Sequence, residues 1–216
     1  MDLFLIVSFF ISFIVGITIH ETAHAWMGNK LGDPTAKDLG RISLNPLRHI
    51  DPLGSLALPI IALVTSQSLI GWAKPTPFNP ANLKELKKDE LLIAIAGPIS
   101  NLLLASVCLI LVYILAFLLG FLGVSENLLN SILDFVYYIA IGNLILAFFN
   151  LLPIPPLDGA TFLKIFLPHR FGAHIDYFGQ YGFFILMFAS FTPAGNILGN
   201  YIDACVGFCL RIFGFV

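Results

Sequence analysis

The sequence has little charge: Asp, Glu, Lys and Arg together make up 11% of its 216 residues, whereas hydrophobic residues make up 58%. Its mean hydropathy is +0.91, a strongly apolar value. This scarcity of charge excludes an ordinary soluble domain and predicts an all-α protein that crosses the lipid bilayer several times. No nucleic-acid partner is predicted.

Cysteine is also scarce, which excludes a disulfide framework. The three cysteines, Cys108, Cys205 and Cys209, lie in apolar runs without CxxC spacing and are predicted to pack within helices. Cys205 and Cys209 share a helical face close to Asp203. A second metal site at that place is therefore an alternative.

Long apolar runs account for most of the chain. A membrane-spanning helix needs about 20 apolar residues. The predicted spans are Leu3 to Trp26, Leu91 to Leu122, Ile132 to Pro155, and a shorter pair at Tyr177 to Phe191 and Ile197 to Leu210. We expect about five transmembrane helices in one integral membrane domain over 1–216, with a core at about 1–164 and a C-terminal helical pair at about 176–213. The first run lacks the basic start and small-residue cleavage site of a signal peptide, so it is expected to be retained.

The first span contains the sequence HETAH at positions 20–24. On a helix, HExxH places two imidazoles on one face, where both can bind one Zn²⁺, and sets the adjacent Glu beside the position left for water. These groups are His20, Glu21 and His24. Ionisable side chains are costly inside a membrane, so their presence there indicates a functional site.

The segment from Gly54 to Gly71 decides the predicted topology. Pro59 and a polar run at 65–68 interrupt it, and four basic residues lie in each of the flanking loops, within 30–48 and 74–88. A crossing would place four positive charges on each side, against the positive-inside rule, whereas a re-entrant segment keeps all eleven Lys and Arg on the cytoplasmic side. We therefore predict a re-entrant segment, an outward N-terminus, and a C-terminus and active-site opening on the cytoplasmic side. His49, His169 and His174 are expected to be solvated or interfacial.

In this topology Asp158 reaches the same depth as the histidine pair. It lies in the sequence NLLPIPPLDG at 150–159, whose prolines must break the helix. Irregular backbone at membrane depth is tolerated where it lines a cavity or is buried in protein, so Asp158 is a candidate third zinc ligand. The alternative is a Pro-rich helix exit with an Asp-Gly turn.

Three motifs in order, HETAH at 20–24, GPISN at 97–101 and NLLPIPPLDG at 150–159, resemble the site-2 protease family of intramembrane zinc metalloproteases. The intervening GRISLNPLRHIDPLG at 40–54 and GWAKPTPFNP at 71–80 are similar to its compact members, which lack a PDZ domain. The resemblance covers the chain up to Lys164. It implies a three-helix catalytic core, one Zn²⁺ per chain bound by His20, His24 and Asp158, and Glu21 as the catalytic carboxylate.

The resemblance also implies that Asn150 helps to stabilise the oxyanion, although an interhelical hydrogen bond involving Asn143 is the alternative reading. Gly97, Pro98 and Asn101 are expected to allow close approach to the site and one polar contact. The implied substrate is a single-pass membrane protein, and the compact size suggests a prokaryotic inner membrane. The Pro-rich segment from Gly71 to Pro80 is predicted to be extended and to bind the substrate by strand addition.

Two other classes of function compete with proteolysis. A transporter could use His20, His24 and Asp158 to carry a metal ion or a proton. Against it stand the Glu directly beside the first His, the lack of an evident internal repeat and the small number of spans. The other class is a protease-like scaffold that binds membrane helices without cleaving them.

Overall fold

The computed structural model describes residues 3–57, 71–167 and 177–215, apart from positions 178, 180, 183, 190 and 191. Every regular element within these residues is helical, which confirms the predicted all-α class. Three of the described helices are long and apolar enough to cross a membrane: α1 (Leu3–Leu31), α3 (Leu86–Phe121) and α4 (Glu126–Asn150). The count of about five spans stays a prediction.

Shorter helices and turns connect or follow these three. They are α2 (Thr35–Asp38), 3-10 turns at Pro46–Arg48 and Pro80–Asn82, a π-helical turn at Pro52–Ala57, α5 (Gly159–Phe166) and α6 (Pro193–Ile212). The last helix contains the predicted span Ile197 to Leu210 but begins before it, because Thr192 caps the helix by accepting from the Ala194 N–H and Pro193 occupies its first position. Residues 184–189 of the first member are also helical.

Glycine and proline residues determine where two of the long helices end. Helix α1 continues past Trp26 to Leu31 and ends at Gly32, whose φ of 110° suits glycine. Helix α4 ends at Asn150 rather than at Pro155, the predicted end of that span. The reason is that Pro153 cannot donate a helical hydrogen bond and its ring clashes with the preceding turn.

Small and polar residues bring α1 close to α4. A side chain on Gly142 would collide with Ser12, and one on Gly16 would collide with Leu146. The Ser12 hydroxyl donates to the carbonyl oxygen of Ile139 at 3.2 Å. Such close backbone approach is typical of helix pairs in lipid, where apolar burial gives little driving force and packing and hydrogen bonds decide.

The C-terminal helix α6 packs against the two long helices α3 and α4. Val206 and Leu210 of α6 pack in one buried cluster with Leu109 of α3 and Leu144 of α4. The Tyr113 hydroxyl also donates to the carbonyl oxygen of Phe213 at 2.6 Å. This end of the chain therefore packs on α3 and α4.

The loop after α2 differs from one expectation. His49 is fully buried rather than solvated, because its Nε2–H donates to the carbonyl oxygen of Ser43 at 2.7 Å inside the loop. Burial lowers the pKa of His49, and the nearby Arg41 guanidinium lowers it further, so the imidazole is neutral at pH 7. The predicted re-entrant segment falls largely on residues 58–70, and His169 and His174 on 168–176; both ranges lie outside the described residues.

Candidate metal centre

His20 and His24 lie on one face of α1, and each is less than a tenth exposed. Their spacing is about one helical turn, so the two rings meet edge to face with centroids 4.6 Å apart. Neither Pro nor Gly occurs between Ile17 and Trp26, so the helix there is regular and holds the pair in register.

Asp158 reaches the histidines from the turn that follows α4. The turn is closed by two hydrogen bonds, from the Ile154 N–H to Leu152 and from the Leu157 N–H to Ile154. Oδ2 of Asp158 lies 3.0 Å from Nε2 of His20 and 3.4 Å from Nε2 of His24. The structure therefore brings all three predicted ligands together.

The tautomers of both histidines follow from their second ring nitrogens. Nδ1 of His20 lies 2.6 Å from Oδ1 of Asn101, and the Asn101 amide donates to Gly16 and Asn143. Oδ1 must therefore accept, and Nδ1 must carry the proton. Nδ1 of His24 donates to the carbonyl oxygen of Ile93 at 2.7 Å. In the neutral imidazoles, Nε2 is therefore the nitrogen with the free lone pair, and both Nε2 atoms are turned toward Asp158.

The residues fit a metal ion because three side chains that donate electron pairs as neutral imidazoles and a carboxylate converge. Oδ2 of Asp158 is buried and has no hydrogen-bond partner among the described residues, and the three ligand atoms lie within 4.8 Å of one another. Two imidazole nitrogens and one carboxylate oxygen, with a fourth position left open, form the donor set of a catalytic zinc site.

Two glycines beside the site, one in α3 and one at the start of α5, occupy positions where any side chain would clash. A Cβ on Gly97 of α3 would lie 2.5 Å from Nε2 of His24 and 2.6 Å from Nε2 of His20. A Cβ on Gly159 would collide with the carbonyl oxygens of Leu151 and Leu152. Glycine is therefore required at both positions, in agreement with the close approach expected for Gly97.

The Glu21 carboxylate is buried beside the histidines, in contact with two loops. Its Oε2 accepts a hydrogen bond of 2.7 Å from the Thr76 hydroxyl and lies 3.9 Å from Nη2 of Arg41. Neither Thr76 nor Arg41 was identified from the sequence. Both lie in the loop motifs that carry the family resemblance, and that position is the one signal that could have marked them.

Comparison with known proteins decides the family. The sequence profile of peptidase family M50 matches residues 8–191. The chain belongs to peptidase family M50. The match includes both the α1 histidines and the turn at Asp158, and it confirms the resemblance to the site-2 proteases. This M50 chain is an integral membrane metalloprotease, and its cofactor is zinc.

The M50 relatives come from bacteria. The chain is 35% identical over 205 residues to the candidate zinc metalloprotease YwhC of Bacillus subtilis, covering 94% of this chain and 89% of the relative. It is 29% identical over 183 residues to the candidate zinc metalloprotease Rip2 of Mycolicibacterium smegmatis, covering 85% of this chain and 66% of the relative. The corresponding Rip2 of Mycobacterium tuberculosis is 28% identical over 156 residues, covering 72% and 54%. No solved structure matches the chain.

Asn150 of the M50 chain lies in the last turn of α4. Its amide donates to the carbonyl oxygen of Leu146 in the same helix at 2.9 Å. The interhelical bond is made instead by Asn143, whose Oδ1 accepts from Asn101 at 2.8 Å. Asn143 thus fills the structural role that was the alternative for Asn150, and the second amide hydrogen of Asn150 has no partner in the described part of the chain.

The C-terminal segment contacts the turn that carries Asp158. A Cβ on Gly182 would collide with the carbonyl group of Pro155, so the backbones approach directly at this point. The alternative metal site at Cys205 and Cys209 is not formed: among the described residues, His20, His24 and Asp158 are the group of metal-ligating side chains that converges.

Proposed function

We propose that the protein is an intramembrane zinc metalloprotease that hydrolyses peptide bonds within or near transmembrane segments of membrane proteins. His20, His24 and Asp158 hold the metal, and Glu21 is the general base. The observation that carries the proposal is the convergence of two imidazole nitrogens and a carboxylate oxygen, with the buried Glu21 carboxylate adjacent to them in an apolar helix. An ionisable side chain buried next to such a donor set is a candidate for proton transfer.

The chain's own residues supply the proton transfers. When bound, zinc acts as a Lewis acid that acidifies water and polarises the scissile carbonyl. Glu21 removes a proton from the attacking water and returns it to the leaving amine, which balances the reaction and yields two peptide ends. The free amide hydrogen of Asn150 is proposed to donate to the oxyanion, a role in which one positioned donor contributes about 3 kcal/mol.

The proposed substrate is a single-pass membrane protein, whose helix must unwind before its backbone can reach the site. The segment from 72 to 76 offers an edge for the unwound strand. The backbone N–H groups of residues 72 and 74 bond to the rest of the protein: the Trp72 N–H donates to the carbonyl oxygen of Gly54 at 3.1 Å, and the Lys74 N–H donates to that of His49 at 2.8 Å. The backbone of Ala73, between them, has no partner in the described parts of the chain. A substrate strand can therefore pair with Ala73.

A reconstituted cleavage assay tests the proposal. The protein is incorporated into vesicles with a panel of fluorescent reporters, each a single transmembrane helix, and its zinc content is measured in parallel. We expect one zinc per chain and cleavage in the native protein, and zinc without cleavage in Glu21→Gln. Glu126→Gln, which alters an exposed carboxylate at the start of α4, is the matched control and should both bind zinc and cleave the reporters.

Ligand variants complete the test. His24→Ala and Asp158→Ala should both lose zinc, whereas Asp134→Ala, an exposed acidic residue of α4, should keep it. Zinc retained in Asp158→Ala but lost in His24→Ala would show that Asp158 is not the third ligand. Transport of metal into the vesicles, with no reporter cleaved, would assign the same residues to a transporter.

A further inference from the structure

Glu21 is held by groups that the proposed mechanism has not used. Its Oε2 accepts from the Thr76 hydroxyl at 2.7 Å, and the same hydroxyl lies 3.1 Å from the main-chain oxygen of Glu21. Oε1 has no hydrogen-bond partner among the described residues. One oxygen of the carboxylate is thus anchored while the other is available.

Arg41 connects this contact to the rest of the loop. Its guanidinium is buried between the two loops, where Nη2 lies 3.9 Å from Oε2 of Glu21 and donates to the carbonyl oxygen of Lys74. A buried carboxylate needs a nearby counter-charge, which Arg41 provides. Because Lys74 is two residues before Thr76, the same guanidinium also fixes the backbone from which the Thr76 hydroxyl projects.

We propose that Thr76 is a positioning residue for the general base. Its hydroxyl binds Oε2 and selects the orientation in which Oε1 can take the proton, and Arg41 holds Thr76 in place. The inference rests on the proposed role of Glu21. It extends that role, because Thr76 lies on the segment proposed to pair with the substrate. The segment at 72–76 then positions both the substrate strand and the carboxylate of Glu21.

The expected effect falls on the chemical step. A displaced base loses part of its contribution, which is about 100-fold to 10,000-fold for a well-placed one, so Thr76→Val should lower kcat by about 10-fold to 100-fold. KM should change by less than about twofold, because the substitution leaves the interactions that bind substrate and transition state equally in place. Zinc content should stay at one per chain, and Thr76→Ser, which keeps the hydroxyl, should restore most of kcat.

Thr18→Val is the matched control. Thr18 is a buried threonine of α1, and its hydroxyl donates only to the carbonyl oxygen of Ile14, within the same helix. Thr18→Val removes a buried threonine hydroxyl, as Thr76→Val does, but this hydroxyl does not contact the Glu21 carboxylate. The kcat of Thr18→Val should therefore remain within about twofold of the native value.

A measurement without zinc or substrate tests the contact itself. In metal-free protein, Thr76→Val should lower the unfolding temperature less in the Glu21→Ala background than in the native background, because the side-chain hydrogen bond is already absent there and only the contact with the main-chain oxygen of residue 21 remains. Additive shifts, native kcat in Thr76→Val, or failure of Thr76→Ser to recover would each overturn the inference.

The two proposals fail differently. If the native protein cleaves no reporter, or if Glu21→Gln cleaves normally, the proposed function is wrong and this inference falls with it. If native cleavage depends on Glu21 and Thr76→Val is unaffected, the proposed function stands and only the positioning role is wrong.

Discussion

Asn101 shows how one side chain can organise a site that it does not enter. Its Oδ1 fixes the proton on Nδ1 of His20, while its amide binds the carbonyl oxygen of Gly16 and Oδ1 of Asn143. One fully buried amide therefore links α1, α3 and α4 at the depth of the proposed ligands. Hydrogen bonds of this kind orient a metal-binding imidazole and raise its basicity.

Replacing Asn101 should consequently weaken zinc binding. In Asn101→Leu, His20 loses its acceptor and can adopt the wrong tautomer, so we expect zinc affinity to fall by about 10-fold to 100-fold. Competition with a chelator of known affinity measures the change. Asn127→Leu, an exposed asparagine of α4, is the control and should bind zinc as the native protein does. Equal affinities in both variants would contradict the orienting role.

At the scale of the elements, the extended segment after residue 71 is held by side chains and turns rather than by a sheet. The Ser55 hydroxyl donates to Trp72 at 2.7 Å, and the Arg41 guanidinium donates to Lys74. Farther along, Oδ2 of Asp33 accepts from the Asn79 N–H at 2.8 Å. Both ends are tied to the chain between α1 and residue 57, and Thr76 is bonded to Glu21 itself, so the free edge at Ala73 keeps a fixed position relative to Glu21.

The edge at Ala73 can be blocked without altering the metal ligands. Proline at this position removes the N–H that a substrate strand would use, so Ala73→Pro should reduce cleavage of a single-helix reporter by about 10-fold or more, given about 1.5 kcal/mol per lost hydrogen bond. Zinc content should be unchanged. Ala73→Ser keeps the N–H and should cleave normally. Native cleavage in Ala73→Pro would exclude strand addition at this edge.

At the scale of the molecule, three long helices carry the site and the C-terminal part supports it. Helices α1, α3 and α4 contribute the histidines, Asn101 and the turn to Asp158, while α6 packs on α3 and α4 and Gly182 contacts Pro155. We therefore retain the proposal of a single domain in which residues up to about 164 form the core and the pair at about 176–213 braces it.

The orientation in the membrane remains a proposal and has a direct test. With the N-terminus outside, the loop between α3 and α4 also lies outside, and the loop before α3 lies in the cytoplasm. In a cysteine-free background, Val124→Cys should react with an impermeant maleimide on intact cells, and Lys87→Cys only after the membrane is opened. The reverse labelling pattern would invert the topology and place the active-site opening outside.

Much of the site could be predicted because its signals are local. The spacing of His20 and His24 is meaningful as soon as a helix is assumed, and the prolines before Asp158 require that α4 end near it. Thr76 and Arg41 carry no such local signal: a threonine and an arginine in polar loops have many possible partners. Their contact with Glu21 depends on the path of two loops over the end of α1. His49 was misjudged for the same reason.

The sequence by itself determined the helical class, the membrane setting and the choice of the proposed ligands, because apolar run length and side-chain type can be read from neighbouring residues. Only the tertiary structure decided which nitrogens of His20 and His24 are free and which oxygen of Glu21 is anchored. Those outcomes depend on hydrogen bonds with Asn101, Ile93 and Thr76, residues far away in the chain. Long-range contacts of this kind form only when the helices pack, and packing depends on all of them together.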